Sequence, residues 1–241
     1  MILDIPEKVS QEKITFDVRE LEPLLQAPPM EVPEFPACWL QLKDGRRMLI
    51  RPARLEEAPK LIEVAKKLVD IDHDFYDIVG ARVLAEVIGW YRKRLKDPYQ
   101  MVGLVDGELA GFCNGRLQDE EINISLHTLA FQRGGRIGAA MYYAKCEYCF
   151  EHLGQEEFWA TYESYNGFKR WGIGMAQPSY PWPETQHELG GARVFYITRE
   201  YWFSTVKKYI QEMVGTELVR PVPDDLMKAN AEFRIPEKVD V

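Results

Sequence analysis

The sequence predicts an α/β domain with an extension at each end. Apolar strand-like segments alternate with helical stripes through most of the chain, and a buried strand at 122–131 leads through a loop rich in glycine and arginine into a helix. With 241 residues, 46% hydrophobic and 28% charged, the chain can bury a sizeable core. We expect an extended arm at 1–45, a domain at 46–215 and a tail at 216–241.

The first predicted elements are a strand and two helices. Pro52 ends a strand at 47–52. Apolar residues at helical spacing predict a helix at 55–69, and a similar stripe predicts another at 78–95, which Asp97-Pro98 ends. The arm is extended because four prolines interrupt it: Pro28, Pro29, Pro33 and Pro36.

The remaining elements follow a hairpin. Asp106-Gly107 is a strong two-residue turn signal between strands at 99–105 and 109–117. The strand at 122–131 and a helix at 137–152 come next. Short apolar strands at 158–161 and 194–198 and a helix at 200–213 complete the domain.

Charge and composition exclude several classes of protein. The formal net charge of -8 argues against nucleic acid as a partner. The first residues lack the basic start and apolar run of a signal peptide, and no segment has the roughly 20 apolar residues that cross a bilayer. We therefore expect no membrane partner, and four cysteines without secretion signals predict reduced thiols and a cytoplasmic location.

The loop after the strand at 122–131 has the character of a phosphate site. Arg133, Gly134, Gly135 and Arg136 precede a helix that begins at Ile137. A helix N-terminus offers unpaired N–H groups and partial positive charge to an anion. No Lys-Ser or Lys-Thr pair follows the glycines, which excludes a P-loop, and their spacing does not fit the dinucleotide-binding fingerprint.

This segment resembles the acyl-CoA motif of the GCN5-related N-acetyltransferases, Arg/Gln-x-x-Gly-x-Gly/Ala. Arg133 and Gly138 match its ends, and Arg136 stands in place of its first glycine. Shifted by one residue, Gln132 and Gly135 match, and Ile137 replaces the last glycine. The order of elements over 46–200 is also similar. The resemblance implies a mixed, mostly antiparallel sheet flanked by helices and splayed between the fourth and fifth strands.

The resemblance also implies acetyl-CoA, or another acyl-CoA, as the ligand. The pantetheine arm would lie along the strand near Thr128, and the pyrophosphate would lie on the loop and helix. The residues implied to bind it are Leu129, Ala130, Phe131, Arg133, Gly134, Gly135, Arg136, Ile137, Gly138 and Ala139.

Two residues are candidates for the general base. The strand containing His127 resembles that of arylalkylamine N-acetyltransferases, in which a histidine assists deprotonation, and an imidazole titrates near neutral pH. The alternative is a histidine that is satisfied within the core. Glu120 and Glu121 lie at the start of this strand, where other family members place a glutamate acting through water, although an acidic pair at the start of a strand is more often a solvated turn. Even spacing predicts that Glu121 and His127 share a face of the strand.

The leaving-group acid departs from the family pattern. Matching the segment after the fifth strand to the family puts Phe168 in the usual tyrosine position, and phenylalanine cannot donate a proton. Tyr165, about one helical turn earlier, is the substitute candidate; the alternative is an aromatic core stripe.

Two other groups of residues contain candidate functional side chains. Cys146, Cys149 and His152 lie close in sequence, but buried thiols on a helix explain them better than a metal, so we expect none. The proline-rich loop at 177–183, with Tyr180, Trp182 and His187, is expected to wall the acceptor pocket.

The expected function is acyl transfer to a primary amine of a small molecule or peptide. One alternative is a non-catalytic acyl-CoA-binding or regulatory module on the same fold. Another is a relative that uses acyl carrier protein or aminoacyl-tRNA as donor, which the acidity of the chain disfavours. Dimerisation through the arm or the C-terminal helix is compatible with the sequence.

Overall fold

Seven strands form one mixed sheet in a computed structural model that describes residues 19, 25–26, 33–181 and 193–240. The strands lie side by side in chain order, and every pair is antiparallel except β5 and β6, which are parallel. They are β1 (Cys38–Gln41), β2 (Arg47–Pro52), β3 (Pro98–Val105), β4 (Glu108–Leu117), β5 (Ile122–Ala130), β6 (Glu157–Ala160) and β7 (Phe195–Thr198). The predicted sheet type is confirmed.

Helices cover both faces of this sheet. They are α1 (Ala58–Val69), α2 (Tyr76–Tyr91), α3 (Ile137–Glu147, continued by a π-helical turn at Tyr148–His152), α4 (Tyr165–Gly167, continued at Phe168–Ile173), α5 (Arg199–Tyr201, Trp202–Val206 and Lys207–Val214 in succession) and α6 (Asp224–Ala229). Within the described ranges, no helix is long and apolar enough to cross a bilayer.

The predicted element boundaries are close to the observed ones. Asp106 and Gly107 both have positive φ, 51° and 72°, and form the two-residue turn that joins β3 to β4. Helix α2 ends earlier than predicted, since Lys93 has a left-handed φ of 55° just beyond its last turn.

The sheet separates two apolar cores. On one face α1 and α2 pack against Leu49, Phe112 and Leu129, and on the other α3 and α5 pack around Phe158 and Trp202. Complete burial of a large apolar side chain contributes about 1.5–3 kcal/mol relative to its exposure. These two layers hold β5, the strand on which the candidate site lies, between fixed neighbours.

The sheet begins before the predicted domain boundary at residue 46. Strand β1 lies in the segment predicted as arm, and its Leu40 is fully buried. The tail also packs on the domain: Val219 forms a β-bridge with Trp39, and Phe233 is buried beside α1 and α2. The first part of the arm, and Trp182 and His187 of the predicted acceptor loop, lie outside the described residues.

Strands β5 and β6 diverge, as the sequence resemblance implies. Their pairing runs from Ile122–Glu157 to Ser125–Ala160, after which β6 ends and β5 continues to Ala130. Because β1 was not predicted, the strands predicted as the fourth and fifth are β5 and β6. The prediction of a splayed sheet is confirmed. We call the place where β5 and β6 separate the fork; beyond it, one edge of β5 has no neighbouring strand among the described residues.

Candidate active site

A cleft opens where β5 and β6 separate. Its inner part, a cavity of about 100 Å³, lies between residues 125–129 of β5 and residues 160–164 that follow β6; we call this the inner cleft. It continues into a wider cavity of about 450 Å³, the mouth, lined by the loop at 132–138 and by α4. Tyr142 and Trp171 stack at 4.3 Å along one wall.

The loop at the mouth has an unusual backbone conformation that prepares it for an anion. Gly134, Gly135 and Arg136 have consecutive left-handed φ values of 86°, 60° and 69°. Arg136 is the N-cap of α3, so the free N–H groups of the first turn of α3 face the mouth. Arginine therefore adopts the conformation usually given to glycine, which explains why it can occupy the motif position of the first glycine.

Three arginines surround the mouth. Arg133 and Arg136 were predicted from sequence, and Arg170 of the α4 continuation joins them. The guanidinium of Arg133 donates to the Asp240 carboxylate across 2.9 Å, so the tail contributes one negative charge to the same rim. The residues that line the mouth thus carry three guanidiniums and one carboxylate, and the Asp44 carboxylate behind Gly135 is paired with Arg46, so the rim has an excess of positive charge suited to a phosphate group.

The structure separates the predicted binding residues into two groups. Leu129 and Ala130 of β5 line the mouth together with Arg133, Gly134, Gly135, Arg136, Ile137 and Gly138. Phe131 and Ala139 do not line it: Phe131 packs in the α1–α2 core, and Ala139 is fully buried in the α3–α5 core. Strand alternation and helix periodicity direct these two side chains inward.

Thr128 offers an unused hydrogen-bonding group inside the cleft. It lines both the inner cleft and the mouth, and its Oγ1 is buried with no hydrogen-bond partner among the described residues. An unpartnered buried hydroxyl costs about 1–3 kcal/mol. A ligand carrying amide groups, such as pantetheine, would supply the missing partner, so the cleft fits the ligand that the sequence implies.

His127 lines the inner cleft and is held from below by a buried carboxylate. Its Nε2 lies 3.0 Å from Oε1 of Glu86 on α2, and both side chains are almost fully buried. The Asn114 side chain donates to the other oxygen of Glu86 at 2.6 Å and accepts from the His127 backbone N–H at 2.9 Å. A carboxylate that accepts at Nε2 fixes the ring proton there and leaves the lone pair on Nδ1.

The sequence analysis did not predict a functional role for Glu86, although the position of this residue in α2 is a signal for one. It lies on the buried stripe of α2 with Val79 and Val83, at the position where an apolar residue is expected. A carboxylate on such a stripe needs a buried partner. The histidine on β5 is that partner.

The prediction that Glu121 and His127 share a face is wrong. Asn114 pairs with His127 while Gly115 pairs with Ser125, so Leu126 is an extra residue in β5 that forms a bulge. The bulge reverses the alternation, and the Ser125 side chain contacts α3 while the His127 side chain contacts α2. Glu121 is exposed, and its backbone carbonyl accepts from the N–H groups of residues 156 and 157.

Tyr165 lies outside the inner cleft. Its side chain is 64% exposed and is absent from the lining of the inner cleft, and Phe168 packs against Phe195 at 5.5 Å. Three other tyrosines line the inner cleft, Tyr76, Tyr142 and Tyr162, and the last two are joined through Gln177. The Tyr162 hydroxyl donates to Gln177 Oε1 at 2.5 Å, and Gln177 in turn donates to the Tyr142 hydroxyl at 3.3 Å.

Burial sets the acidity of the two tyrosines that Gln177 joins. Desolvation raises the pKa of the Tyr142 and Tyr162 phenols well above the usual value of 10. Both phenols therefore stay protonated at any ordinary pH, and the single O–H of Tyr162 is donated to Gln177. Counting positions along α4 finds neither tyrosine, because Tyr142 lies on α3 and Tyr162 precedes α4.

The cysteine cluster on α3 lies within the core. Cys146 and Cys149 are fully buried, and desolvation raises the pKa of both thiols, to above the usual range for Cys146 and well above it for Cys149. Across the described ranges, no three His, Cys, Asp or Glu side chains are grouped so as to hold a metal ion.

Comparison with solved structures identifies the fold. A GCN5-related N-acetyltransferase from Brucella melitensis superimposes over 77% of this chain and 88% of its own, with 13% identity and a TM-score of 0.52. RimJ from Mycobacterium smegmatis, solved in complex with CoA-disulfide, covers 75% and 95% with 14% identity and a TM-score of 0.50. An uncharacterized protein from Bacillus halodurans covers 75% and 99% with 8% identity and a TM-score of 0.53.

Sequence comparison adds no further relative: no protein-family model and no curated protein sequence matches the chain. The structural likeness extends over three quarters of the chain and nearly the full length of the proteins compared. At identities of 8–14% it establishes architecture. The chain has the fold of the GCN5-related N-acetyltransferases.

Proposed function

We propose that the chain is an acyltransferase that moves an acetyl or other acyl group from acyl-CoA to a primary amine. The observation that carries this proposal is the continuity of the cleft. An arginine-rimmed helix N-terminus at the mouth leads directly to an inner cleft whose wall holds a histidine–carboxylate pair. This places an anion site and a candidate base at the two ends of one extended opening.

Binding would use the mouth for the phosphates and the fork for the pantetheine arm. The N–H groups at the start of α3 and the guanidiniums of Arg133, Arg136 and Arg170 supply donors and charge to the pyrophosphate. The unpaired edge of β5 and the Thr128 hydroxyl supply hydrogen bonds to the amides.

His127 would act as the general base. An amine must lose a proton before it attacks a thioester, and Nδ1 of His127 holds a lone pair because Glu86 accepts the proton at Nε2. When Nδ1 takes a proton from the ammonium, the Glu86 carboxylate stabilises the resulting imidazolium across 3.0 Å. Glu121, which is exposed and lies on the other side of the bulge, is the secondary candidate for relay through water.

Backbone and tyrosine donors would stabilise the charges that develop on the reacting group. The N–H groups on the free edge of β5 are placed to donate to the oxyanion of the tetrahedral species. Because its pKa is raised, Tyr142 would be a hydrogen-bond donor to the departing thiolate rather than a source of a transferred proton, and Tyr162 would support it through Gln177. Tyr165 would need to swing inward to serve in the same way.

Calorimetric titration tests the binding half of this proposal. Acetyl-CoA and desulfo-CoA should bind and ATP should not, and the Arg133→Ala, Arg136→Ala double variant should bind CoA at least about tenfold more weakly, since two charges near the pyrophosphate are lost. Lys208→Ala is the matched control, because Lys208 is an exposed cation on α5, away from the cleft. Equal CoA affinity in all three proteins would remove the assignment of the mouth.

A screen of primary amines with acetyl-CoA tests the catalytic half. Release of CoA thiol that depends on an amine supports transfer, and binding without release supports the alternative of a non-catalytic acyl-CoA-binding module. The position of Phe168 in the usual tyrosine place is the observation that favours that alternative. Small amines and peptide N-termini both belong in the screen.

A further inference from the structure

A completely buried lysine lies beneath the bulge in β5. Lys145 of α3 is 0% exposed, and within the described chain its Nζ contacts no carboxylate at ion-pair distance. Its three neighbours are Ser125 Oγ at 2.7 Å, the His127 carbonyl at 2.8 Å and the Asn114 carbonyl at 3.3 Å. The bulge frees both carbonyls, since it interrupts the pairing of β4 with β5 at this point.

The valences at Nζ determine what each neighbour does. A carbonyl oxygen can only accept, so two N–H bonds of the amine point to the Asn114 and His127 carbonyls. In a neutral amine the remaining position is a lone pair, and the Ser125 hydroxyl is the one neighbour that can donate to it. The three oxygens accept all three N–H bonds when Lys145 is an ammonium, and when Lys145 is neutral the Ser125 hydroxyl is hydrogen-bonded to its lone pair.

Desolvation supports the neutral form. Burial lowers the pKa of Lys145 to about 8, against the opposing effects of Glu86 on α2 and the nearby thiols. Those thiols, on β4 and α3, are themselves held protonated because burial raises their pKa values: Cys113, Cys146 and Cys149. A large fraction of Lys145 is consequently uncharged at mildly alkaline pH.

Ser125 lies at the apex of the fork. It is the last residue of β5 that pairs with β6, opposite Ala160, and it lines the inner cleft. Its side chain contacts α3, on the face of β5 opposite to that of His127. An acyl group at the closed end of the cleft would therefore have the serine on one side and the histidine on the other.

We propose that Ser125, with Lys145 as its base, is a nucleophile that accepts the acyl group as an ester. This proposal rests on the proposed function, since the acyl donor is the acyl-CoA bound in the same cleft. Activation of a hydroxyl by a desolvated lysine is an established alternative to activation by histidine.

Acylation of Ser125 is a substitution at the thioester carbon, in which an ester bond replaces the C–S bond. The Ser125 Oγ–H proton passes to neutral Lys145 Nζ as Oγ bonds to the thioester carbon. The C–S bond then breaks, the CoA thiolate leaves and is protonated by solvent, and Lys145 keeps the serine proton as an ammonium. The products are CoA thiol, an acylated Ser125 and a protonated lysine. An amine that has lost its proton to His127 then attacks the ester, or water does so more slowly. The departing Ser125 Oγ takes its proton back from Lys145, and the protons that the amine loses pass to solvent.

The test is incubation of the full chain with acetyl-CoA and no amine, followed by mass spectrometry of the intact protein and of its peptides. The proposal expects one acetyl group on Ser125, formed together with an equal amount of CoA thiol. Ser125→Ala should lose this adduct, while Ser204→Ala should keep it. Ser204 is the matched control because the same serine-to-alanine change is made at an exposed position of α5, away from the cleft.

A lysine variant adds a second measurement. Lys145→Met should slow acylation at least about a hundredfold, since the base is gone. If that variant fails to fold because two buried carbonyls lose their donor, the comparison of Ser125→Ala with Ser204→Ala still decides the question.

The outcomes separate this proposal from the function on which it rests. If the wild-type chain binds desulfo-CoA but forms no adduct, or if the acetyl group is found on a cysteine or on Lys145 itself, the nucleophile is overturned and the binding site stands. If desulfo-CoA does not bind at all, both proposals fall.

Discussion

Replacing Glu86 by glutamine should switch off the base while leaving the fold intact. The carboxylate accepts two hydrogen bonds, from Asn114 Nδ2 at 2.6 Å and from His127 Nε2 at 3.0 Å. Glutamine has one acceptor and one donor group in the same shape, so Asn114 can keep its bond while the amide N–H donates to His127. The imidazole must then carry its proton on Nδ1, and it loses the lone pair that the proposed base needs there.

The magnitude follows from the buried contacts. Glu86→Ala would leave two buried donors unpaired at about 1–3 kcal/mol each, a loss of about 2–6 kcal/mol that is large beside the stability of a domain. Glu86→Gln keeps both donors and acceptors matched, and we expect its free energy of unfolding to change by less than about 1.5 kcal/mol. Turnover should fall by about 10²–10⁴-fold, the usual contribution of a general base.

Two assays check this reasoning. Nitrogen-15 NMR of the imidazole should report the proton on Nε2 in the wild-type chain and on Nδ1 in Glu86→Gln. Amine-dependent release of CoA thiol should fall in Glu86→Gln and in His127→Ala, while affinity for desulfo-CoA stays unchanged. If both proteins show the same tautomer, or if Glu86→Gln turns over at the wild-type rate, Glu86 has no part in positioning the base.

Three further predictions concern the loop, the first strand and the buried lysine. Arg136→Gly should raise the free energy of unfolding by up to about 1 kcal/mol, since glycine adopts the φ of 69° without strain. The same change should weaken acetyl-CoA binding, because a cation is lost. Urea unfolding measures the gain in stability, and calorimetry measures the loss of affinity. Leu40→Ala in β1 should cost about 2–5 kcal/mol in urea unfolding, whereas the exposed neighbour Gln41→Ala should cost under about 0.5 kcal/mol; equal values would show that β1 is peripheral. Burial lowers the pKa of Lys145 from 10.5 to about 8, so between these two pH values the unfolded chain binds more protons than the folded chain. The free energy of unfolding should therefore increase by up to about 3 kcal/mol as the pH rises from about 8 to 10.5. Lys145→Met should lack that gain, and matching pH profiles for the two proteins would contradict the shift.

Local signals were enough to predict the elements on either side of the cleft. The Asp106-Gly107 turn and the glycine-arginine loop have conformations that few other residues allow, and the structure shows positive φ at both places. The strand and helix around that loop are long and strongly apolar. Such features depend on residues that are neighbours in the chain, so they can be predicted from the sequence alone.

Features that depend on distant contacts could not be predicted in the same way. Strand β1 has four residues next to a proline-rich segment and exists because β2 pairs with it. The bulge at Leu126 is defined by the register of β4 against β5, so counting residues along β5 alone assigned Glu121 to the wrong face. Tyr162 reaches the cleft through packing against Gln177 rather than through a helical position.

The sequence did contain a signal for both buried ionisable residues. Glu86 interrupts the apolar stripe of α2, and Lys145 lies in an apolar stretch of α3. An ionisable group at such a position needs a specific hydrogen-bonding partner, so each one indicates a contact that the sequence does not show. Here the two side chains lie against opposite faces of β5.

The end of the tail has a practical consequence for any work with this protein. The Asp240 backbone N–H donates to the Phe131 carbonyl and its carboxylate pairs with Arg133, so the chain ends its described course at the rim of the mouth. An affinity tag or reporter fused behind it would start at the rim of the mouth, and an acidic peptide there would place negative charge beside the arginines. Comparing proteins with and without such a peptide behind Asp240 would show directly how much charge at the entrance controls access.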